Sequence, residues 1–495
     1  MLRDLLENQA FTQNGAISNR TTGSNLLNFF ATAGSARNKP ELELIQMFEK
    51  AYADDPIAAT VLLFYFRDVR EGQGERRLFR VVVNHFAKTQ PSILKGVMSL
   101  IPEYGRWDDM YLFVGTPLET EAFRLMKKQW NEDQVSEYPS LLAKWLKGTR
   151  PSSKESNNLM HLTARHFGFS LITYQKSLAR LRRKLNIVET KMAEGNWDEI
   201  NYSHVPSHAM KTYFKAFLKH DGERFKEYLD ALSSKDEIVA QSVKINASTL
   251  YPHDVVYKAR MNQYGSREEN QVYNAQWKAL PKFPLEDTIS IVDVSGSMFS
   301  TIGDGKLAAI DVSLALGIYT AENLRGEFKD AFLTFSDRCS LEVLVGDDLT
   351  TKVRNLQSAE WGMTTNIEAA FKLILDTATE NNLLDSEIPK RLLVISDMQF
   401  NQASRRATNY NNAKRMFEEV GYTFPQLIFW NVMAAPSKEY PIKQTDNALL
   451  LSGYSPVILK YIYKNEMVSP LELVYEVVNA ERYSQVVKIL EKLYL

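Results

Sequence analysis

Two folds in tandem are what the sequence predicts: an all-α region of helical repeats, and after it a doubly wound, mainly parallel α/β domain. Three observations lead there. Apolar residues recur at spacings of three and four from about residue 24 to 275, two prolines break the chain at Leu280-Pro281-Lys282-Phe283-Pro284, and short apolar runs then alternate with helical ones. A length of 495 residues exceeds one ordinary core, so a division into residues 1–283 and 284–495 suits it.

In the first part, punctuation by Pro, Gly, Ser and Asp separates candidate helices at 24–33, 40–51, 55–69, 74–88, 91–100, 118–130, 157–168, 172–193, 207–218 and 221–232. Strand-like alternation is almost absent there, and short polar turns between helices suggest antiparallel hairpins stacked in a HEAT-like solenoid, although no clean sequence period stands out. In the second part, strands are expected at 288–294, 331–335, 341–345, 391–396, 426–432 and 448–451. Helices are expected at 306–323, 367–377 and 409–420, with a last one starting near Pro456. Short apolar strands alternating with helices read as a parallel, Rossmann-like sheet, with 341–345 as an antiparallel edge. In such sheets ligands bind beyond the carboxyl ends of the strands.

Bulk composition excludes several classes. Apolar residues make up 44% and charged residues 24%, as in folded soluble proteins. No uncharged apolar run approaches bilayer length, and the acids in Met1-Leu2-Arg3-Asp4-Leu5-Leu6-Glu7 stand where a signal peptide is apolar, so a cytoplasmic protein with no membrane partner is expected. Cys339 is the sole cysteine, which excludes an internal disulfide and any cysteine-based zinc cluster. The net charge of −1 conceals an asymmetry: residues 1–283 carry 39 Lys+Arg against 32 Asp+Glu, and the remainder 20 against 28. A basic first part and an acidic second suggest an anionic partner for one and a cation site in the other; ordinary solvated helix faces are the plainer alternative.

At the end of the first strand of the predicted sheet stands Asp293-Val294-Ser295-Gly296-Ser297. Alternation points Asp293, Ser295 and Ser297 to one side, where a carboxylate and two hydroxyls offer the hard oxygens that Mg²⁺ prefers. Trp361-Gly362-Met363-Thr364-Thr365-Asn366 before a helix and Ile395-Ser396-Asp397 after a strand fall at the same edge, so Thr365 and Asp397 complete the candidate set. The alternative is a serine-rich helix cap beside two unrelated aspartates. This Asp-x-Ser-x-Ser, Thr, Asp order resembles the metal-ion-dependent adhesion site of von Willebrand factor A domains, over roughly residues 285–460. One departure, Gly362-Met363-Thr364-Thr365 for Gly-Gly-Thr, leaves open which threonine binds, and Asn366 favours Thr365. The resemblance implies one resident Mg²⁺ (or Mn²⁺ or Ca²⁺) with a position open to a partner's carboxylate. The motif loops supply no His or Lys base, so metal-dependent hydrolysis is the weaker reading.

Within residues 141–220 the count is 14 basic against 5 acidic side chains. The predicted helix 172–193 puts Leu178, Leu181, Leu185, Val188 and Met192 on a core stripe, with Lys176, Arg180, Arg183 and Lys184 away from it. The helix opening at Pro206-Ser207 aligns Lys211, Lys215 and Lys219 opposite Phe214, Phe217 and Leu218, while Lys144, Lys147 and Arg150 extend the surface. Repeated cations at such spacing suit RNA phosphates. The seven histidines show no metal spacing; His204 and His208 read as capping or core residues.

Helical repeats followed by such a metal-site domain resemble the Ro autoantigen class, a TROVE-type ring of helical repeats joined to a von Willebrand factor A domain. The segments Asn14-Gly15-Ala16, Thr21-Thr22-Gly23, Phe66-Arg67-Asp68-Val69-Arg70-Glu71-Gly72-Gln73-Gly74-Glu75-Arg76, Tyr104-Gly105-Arg106-Trp107-Asp108-Asp109 and Trp197-Asp198-Glu199-Ile200-Asn201-Tyr202 resemble an uncharacterised family of plants, viruses and phages with the same plan. The Ro resemblance implies, by architecture alone, a non-catalytic scaffold for single-stranded or misfolded small RNA. A protein-only adaptor is the alternative. The Arg67–Arg76 segment lacks the strand-then-helix context and the Lys-Ser/Thr of a nucleotide loop, which excludes nucleotide binding there; a turn held by Arg–carboxylate pairs is at least as good a reading as a phosphate cradle.

Overall fold

The protein is described by a computed structural model. It covers residues 8–494 apart from 13–15, 149–152, 235, 248–249, 262–264, 284–286, 303–306, 326–327, 336–338, 358–366, 401–408, 434–439, 443–447 and 463–468. The chain forms two compact units, one of Met1–Leu62 with Ala247–Ala480 and the other of Leu63–Asn246 with Glu481–Leu495. Compactness therefore partitions the chain differently from the composition boundary at 283/284, which marks where the large sheet begins.

The first unit is α/β. After a short hairpin of β1 (Gln9–Phe11) and β2 (Ile17–Asn19) come β3 (Thr288–Asp293), β4 (Ala331–Phe335), β5 (Ser340–Val343), β6 (Arg391–Ser396), β7 (Gln426–Asn431) and β8 (Ala448–Ser452). These last six form one sheet in the order β5-β4-β3-β6-β7-β8, parallel throughout except for the antiparallel edge strand β5. The predicted antiparallel edge is thus observed. β3, β6, β7 and β8 are buried along almost their full length, which is why they read as continuous apolar runs.

One sheet face packs on the helices Ile367–Glu380 and Asn409–Val420 through Phe371, Ile374, Ala413 and Phe417. On the other lies Ala309–Asn323, whose residues from Ala309 to Ala321 are all buried because Pro252–Met261 covers its outer side. A helix covered on both sides needs no amphipathic stripe.

The first sixty residues are built into this unit. Asn19 and Tyr440 exchange backbone hydrogen bonds of 2.8 Å, Thr12 Oγ1 donates to the Phe400 carbonyl, and Ala16 and Ala31 enter the sheet's core. Gly34 donates to Ser452 Oγ at 3.1 Å, and that hydroxyl donates to the Phe30 carbonyl. A Cβ on Gly34 would stand 2.5 Å from the Ser452 carbonyl oxygen. Gly34→Ala is therefore expected to destabilise this unit by about 1–3 kcal/mol, as overpacking against backbone does. Thermal melting of the variant checks it; an unchanged Tm would mean that β8 yields without cost.

The second unit is helical. Its helices include Arg77–Thr89, Pro91–Val97, Glu119–Val135, Lys154–Phe167, Leu171–Lys184, Val188–Glu194, Ser207–His220 and Gly222–Leu232, each packing chiefly on near neighbours in sequence, as in stacked hairpins. Ser153 and Ser170 cap helix starts through their side chains, and Gly168 and Gly195 end helices in the left-handed conformation. The final helix Ser484–Tyr494 packs on Pro91–Val97, a contact that brings Leu493 against Gly96. One expectation is corrected. The predicted helix 172–193 is two helices, interrupted at Asn186 with φ of +47°, and only Leu178 and Leu181 of its apolar stripe are fully buried. Leu185, Val188 and Met192 are half-buried because the chain turns between them.

Candidate metal centre and basic helical face

Sheet order positions the first candidate site. The chain runs outward from β3 to β4 and β5 on one side, then returns to place β6, β7 and β8 on the other, so the winding reverses between β3 and β6. Crossover helices diverge at such a point and leave a crevice beyond the carboxyl ends of the two strands. Asp293 is the last residue of β3, and Asp397 directly follows β6.

Both carboxylates are buried. Asp293 Oδ1 accepts the Ser295 N–H at 2.9 Å and Oδ2 accepts the Ser396 hydroxyl at 2.6 Å; Ser313 Oγ donates to the Asp293 carbonyl at 3.0 Å. Ser295 and Ser297 bring their hydroxyl oxygens within 3.2 Å of each other. Asp397 Oδ1 accepts the Gln399 N–H at 3.1 Å, whereas its Oδ2 is buried with no hydrogen-bond partner. Burial, reinforced by the charge of Asp397, pushes the Asp293 carboxyl up to about 7, and burial likewise raises Asp397. Two desolvated acids, one with an orphaned oxygen, beside paired hydroxyls make a donor set that suits a hard cation.

The structure thus brings Asp293, Ser295, Ser297 and Asp397 together, while Thr364 and Thr365 lie outside the described residues. Among the described residues no three His, Cys, Asp or Glu side chains gather, and the oxygens beside the two acids are the hydroxyls of Ser295, Ser297 and Ser396. Two contributors escaped the sequence reading, Ser396 and Ser313. Ser396 adjoins Asp397 in the motif and could have been read from it; Ser313 sits mid-helix with no local signal.

The eight basic candidates all lie in the helical unit and differ in how they are engaged. Lys176 and Lys215 are exposed, and Lys211 is half-buried. Arg180 donates to the Gln134 side chain and Lys184 to the Gln134 carbonyl, both side chains being exposed. Arg183 is 3.5 Å from Glu194, Lys144 is 3.0 Å from Glu189, and Lys147 lies 5.9 Å from the Tyr111 ring centre. Arg150 is outside the described residues. Arg182, which the sequence reading left aside, donates to the carbonyls of Ala143 and Leu146 and so closes the short helix Leu142–Trp145.

The turn Arg67–Arg76 is held by Arg–carboxylate pairs, as expected. Buried Arg67 donates through Nε to Asp109 at 2.8 Å, and Asp68 accepts Arg482 Nε at 2.9 Å and the Tyr483 hydroxyl at 3.3 Å. Gly105 makes room for the Arg67 pair, since a Cβ there would stand 2.5 Å from Asp109 Oδ2.

Comparison with known proteins divides the chain near the proline break. Residues 12–106 and 133–282 match the model of a Domain of unknown function (DUF2828), and residues 287–492 that of a second Domain of unknown function (DUF7788). The chain is similar to the uncharacterized protein L728 of Acanthamoeba polyphaga mimivirus, 28% identical over 519 residues that cover 95% of this chain and 87% of that one. Among solved structures it is similar to the Ro (RSR) protein of Deinococcus radiodurans, with a TM-score of 0.44 and 15% identity over 93% of this chain and all of that one. Similarity to the viral protein therefore runs across both family matches and the junction between them.

Proposed function

We propose that the protein is a non-catalytic RNA-binding scaffold whose α/β unit holds one divalent cation and uses it to engage an acidic group of a partner. The observation that carries the RNA reading is the outer face of the helix Leu171–Lys184. There Lys176, Arg180 and Lys184 are exposed and, among the described residues, pair with no carboxylate, and Gln134 holds two of them toward solvent. Cations spared internal pairing are the ones available to phosphates. Exposed Lys215 on Ser207–His220 extends the face, and Lys211, Lys144, Lys147 and Arg183 would join by exchanging their present contacts.

In the α/β unit, Asp293, Ser295, Ser297 and Asp397, with Thr365, would hold Mg²⁺. A bound cation supplies a coordination position for a carboxylate of the partner. The protein's own part is to keep both acids desolvated and to orient Asp293 through Ser295 and Ser396. The hydroxyl-rich surroundings support binding rather than hydrolysis, since Ser295, Ser297 and Ser396 are poor general bases at neutral pH.

Ultraviolet crosslinking in the native host, followed by sequencing of attached RNA, tests this reading against a variant with Arg180→Glu and Arg183→Glu. RNA enriched on the wild type and lost from the variant is expected. In vitro, log K should fall steeply with log salt, and the variant's slope should be shallower by about 1.4 because each phosphate contact on a single strand contributes roughly 0.7. Equal RNA on both proteins, or affinity indifferent to salt, would instead favour a protein-only adaptor.

A further inference from the structure

Three segments of the helical unit converge on Asp108 and Asp109: the end of the helix Pro56–Arg67, the start of Arg77–Thr89, and the turn at Arg106. Asp109, fully buried, accepts Arg67 Nε at 2.8 Å, Arg80 Nε at 3.1 Å and Nη2 at 3.0 Å, and the Arg106 N–H at 3.1 Å. Asp108 accepts Arg106 through Nε at 2.9 Å and Nη2 at 2.7 Å, with Arg80 Nη2 at 3.4 Å. Two carboxylates thereby serve three guanidiniums.

Arg76 is a fourth. Its side chain reaches solvent, and among the described residues it has no hydrogen bond or ion pair. Crowding by protein, and then the charges of Arg106, Arg67 and Arg80, hold its guanidinium below the usual arginine value; Asp108 offsets this only in part. Within this set, four guanidiniums against two carboxylates leave two positive charges. The helix that Arg76 precedes has no acid in its first turn, although helix amino ends favour negative charge, and its amino end is met by one carboxylate, Glu75, whose Oε1 accepts the Arg77 N–H at 3.1 Å. Sequence alone sets three arginines, Arg76, Arg77 and Arg80, where that rule places acids.

We propose that Arg76, Arg80 and Arg106 form a binding site for a phosphate group, carried on the end of an RNA or presented as a free phosphate ion. A phosphate dianion matches the surplus charge, and guanidinium forks match its oxygens. Arg80 and Arg106 are already positioned, Arg80 by Asp109 and Arg106 by Asp108 and by the Trp145 ring 4.0 Å beneath it, so little ordering remains to oppose binding. Side chains do here what backbone N–H groups do in a nucleotide loop, whose sequence signature this turn lacks. The proposal does not rest on the RNA reading above, because inorganic phosphate alone probes it.

The test titrates full-length protein into inorganic phosphate, at constant ionic strength made up with chloride, and follows the ³¹P line width. Saturable broadening is expected with the wild type, and Arg76→Gln should weaken the affinity by about tenfold, the scale of one charge-assisted hydrogen bond. Lys128→Gln, an exposed cation elsewhere in the unit, serves as control and should leave the affinity unchanged. Without phosphate, Arg76→Gln should melt no lower than the wild type, since it removes an unpaired charge; this separates a lost site from a lost fold. No saturable broadening, or equal broadening with Arg76→Gln, overturns the proposal. A second arm compares oligouridylate bearing a 5′-phosphate with its 5′-hydroxyl form. A preference for the phosphorylated end that vanishes in Arg76→Gln assigns the site to RNA ends, and equal binding of the two assigns it to the free ion.

Discussion

In metal-free buffer the protein should melt higher at pH 5.5 than at pH 7.5, and Mg²⁺ should reverse that order. The folded state raises the Asp293 carboxyl from an ordinary 3.8 to about 7, with burial the main cause and Asp397 the second. Between those values the native protein binds a proton that the unfolded chain does not, so without metal its stability falls as pH rises through the window. At 1.36 kcal/mol per unit the full effect is on the order of 4 kcal/mol. A cation acts in the opposite sense, because it binds the deprotonated pair and not the protonated one, and so stabilises most above pH 7. Asp293→Asn should abolish both the metal response and most of the pH dependence while leaving the metal-free protein at pH 7.5 more stable than the wild type. Differential scanning calorimetry at the two pH values, with EDTA or Mg²⁺, checks all four states. A wild type that ignores Mg²⁺ at pH 7.5 would remove the metal from the functional reading.

Loss of the Asp109 carboxylate should cost the helical unit roughly 3–5 kcal/mol, the penalty for stranding buried charge. Arg67 is buried and has Asp109 as its ion pair, while Arg80 and the Arg106 N–H converge on the same group. Asp109→Ala leaves these donors facing one another across a cavity. Asp108→Ala, nearer the surface, should cost far less. Urea unfolding followed by tryptophan fluorescence distinguishes the two, and a double variant with Arg67→Met and Asp109→Leu should recover part of the loss. Equal, small costs for both aspartates would show that water enters the cluster and solvates Arg67.

Much of this was legible in the sequence, for identifiable reasons. Plain periodicity places the strand at 391–396 and the helix at 409–420, as buried parallel strands and crossover helices allow. Asp293 is legible from its Asp-x-Ser-x-Ser motif and Asp397 from its place after a predicted strand, whereas the winding that sets the ends of β3 and β6 side by side depends on strand order, which local sequence does not carry. The helix predicted over 172–193 failed because its apolar stripe continues in register across Asn186, where the backbone reverses; tertiary packing overrode the period. Ser313 was hidden for a related reason. In a helix buried all round, a serine carries no positional pattern, and its bond to the Asp293 carbonyl exists only across the fold.

The interleaving of the two units bears on how the chain is made. The α/β unit takes its first segment from Met1–Leu62 and the rest from Ala247–Ala480, so on the ribosome the opening hairpin waits for some two hundred residues before its sheet begins to emerge. The helical unit is likewise incomplete until Glu481–Leu495 leave the exit tunnel. Closing such long loops slows folding more than it weakens the product. A gene cut at the proline break would encode two partial folds, each lacking a piece held by the other.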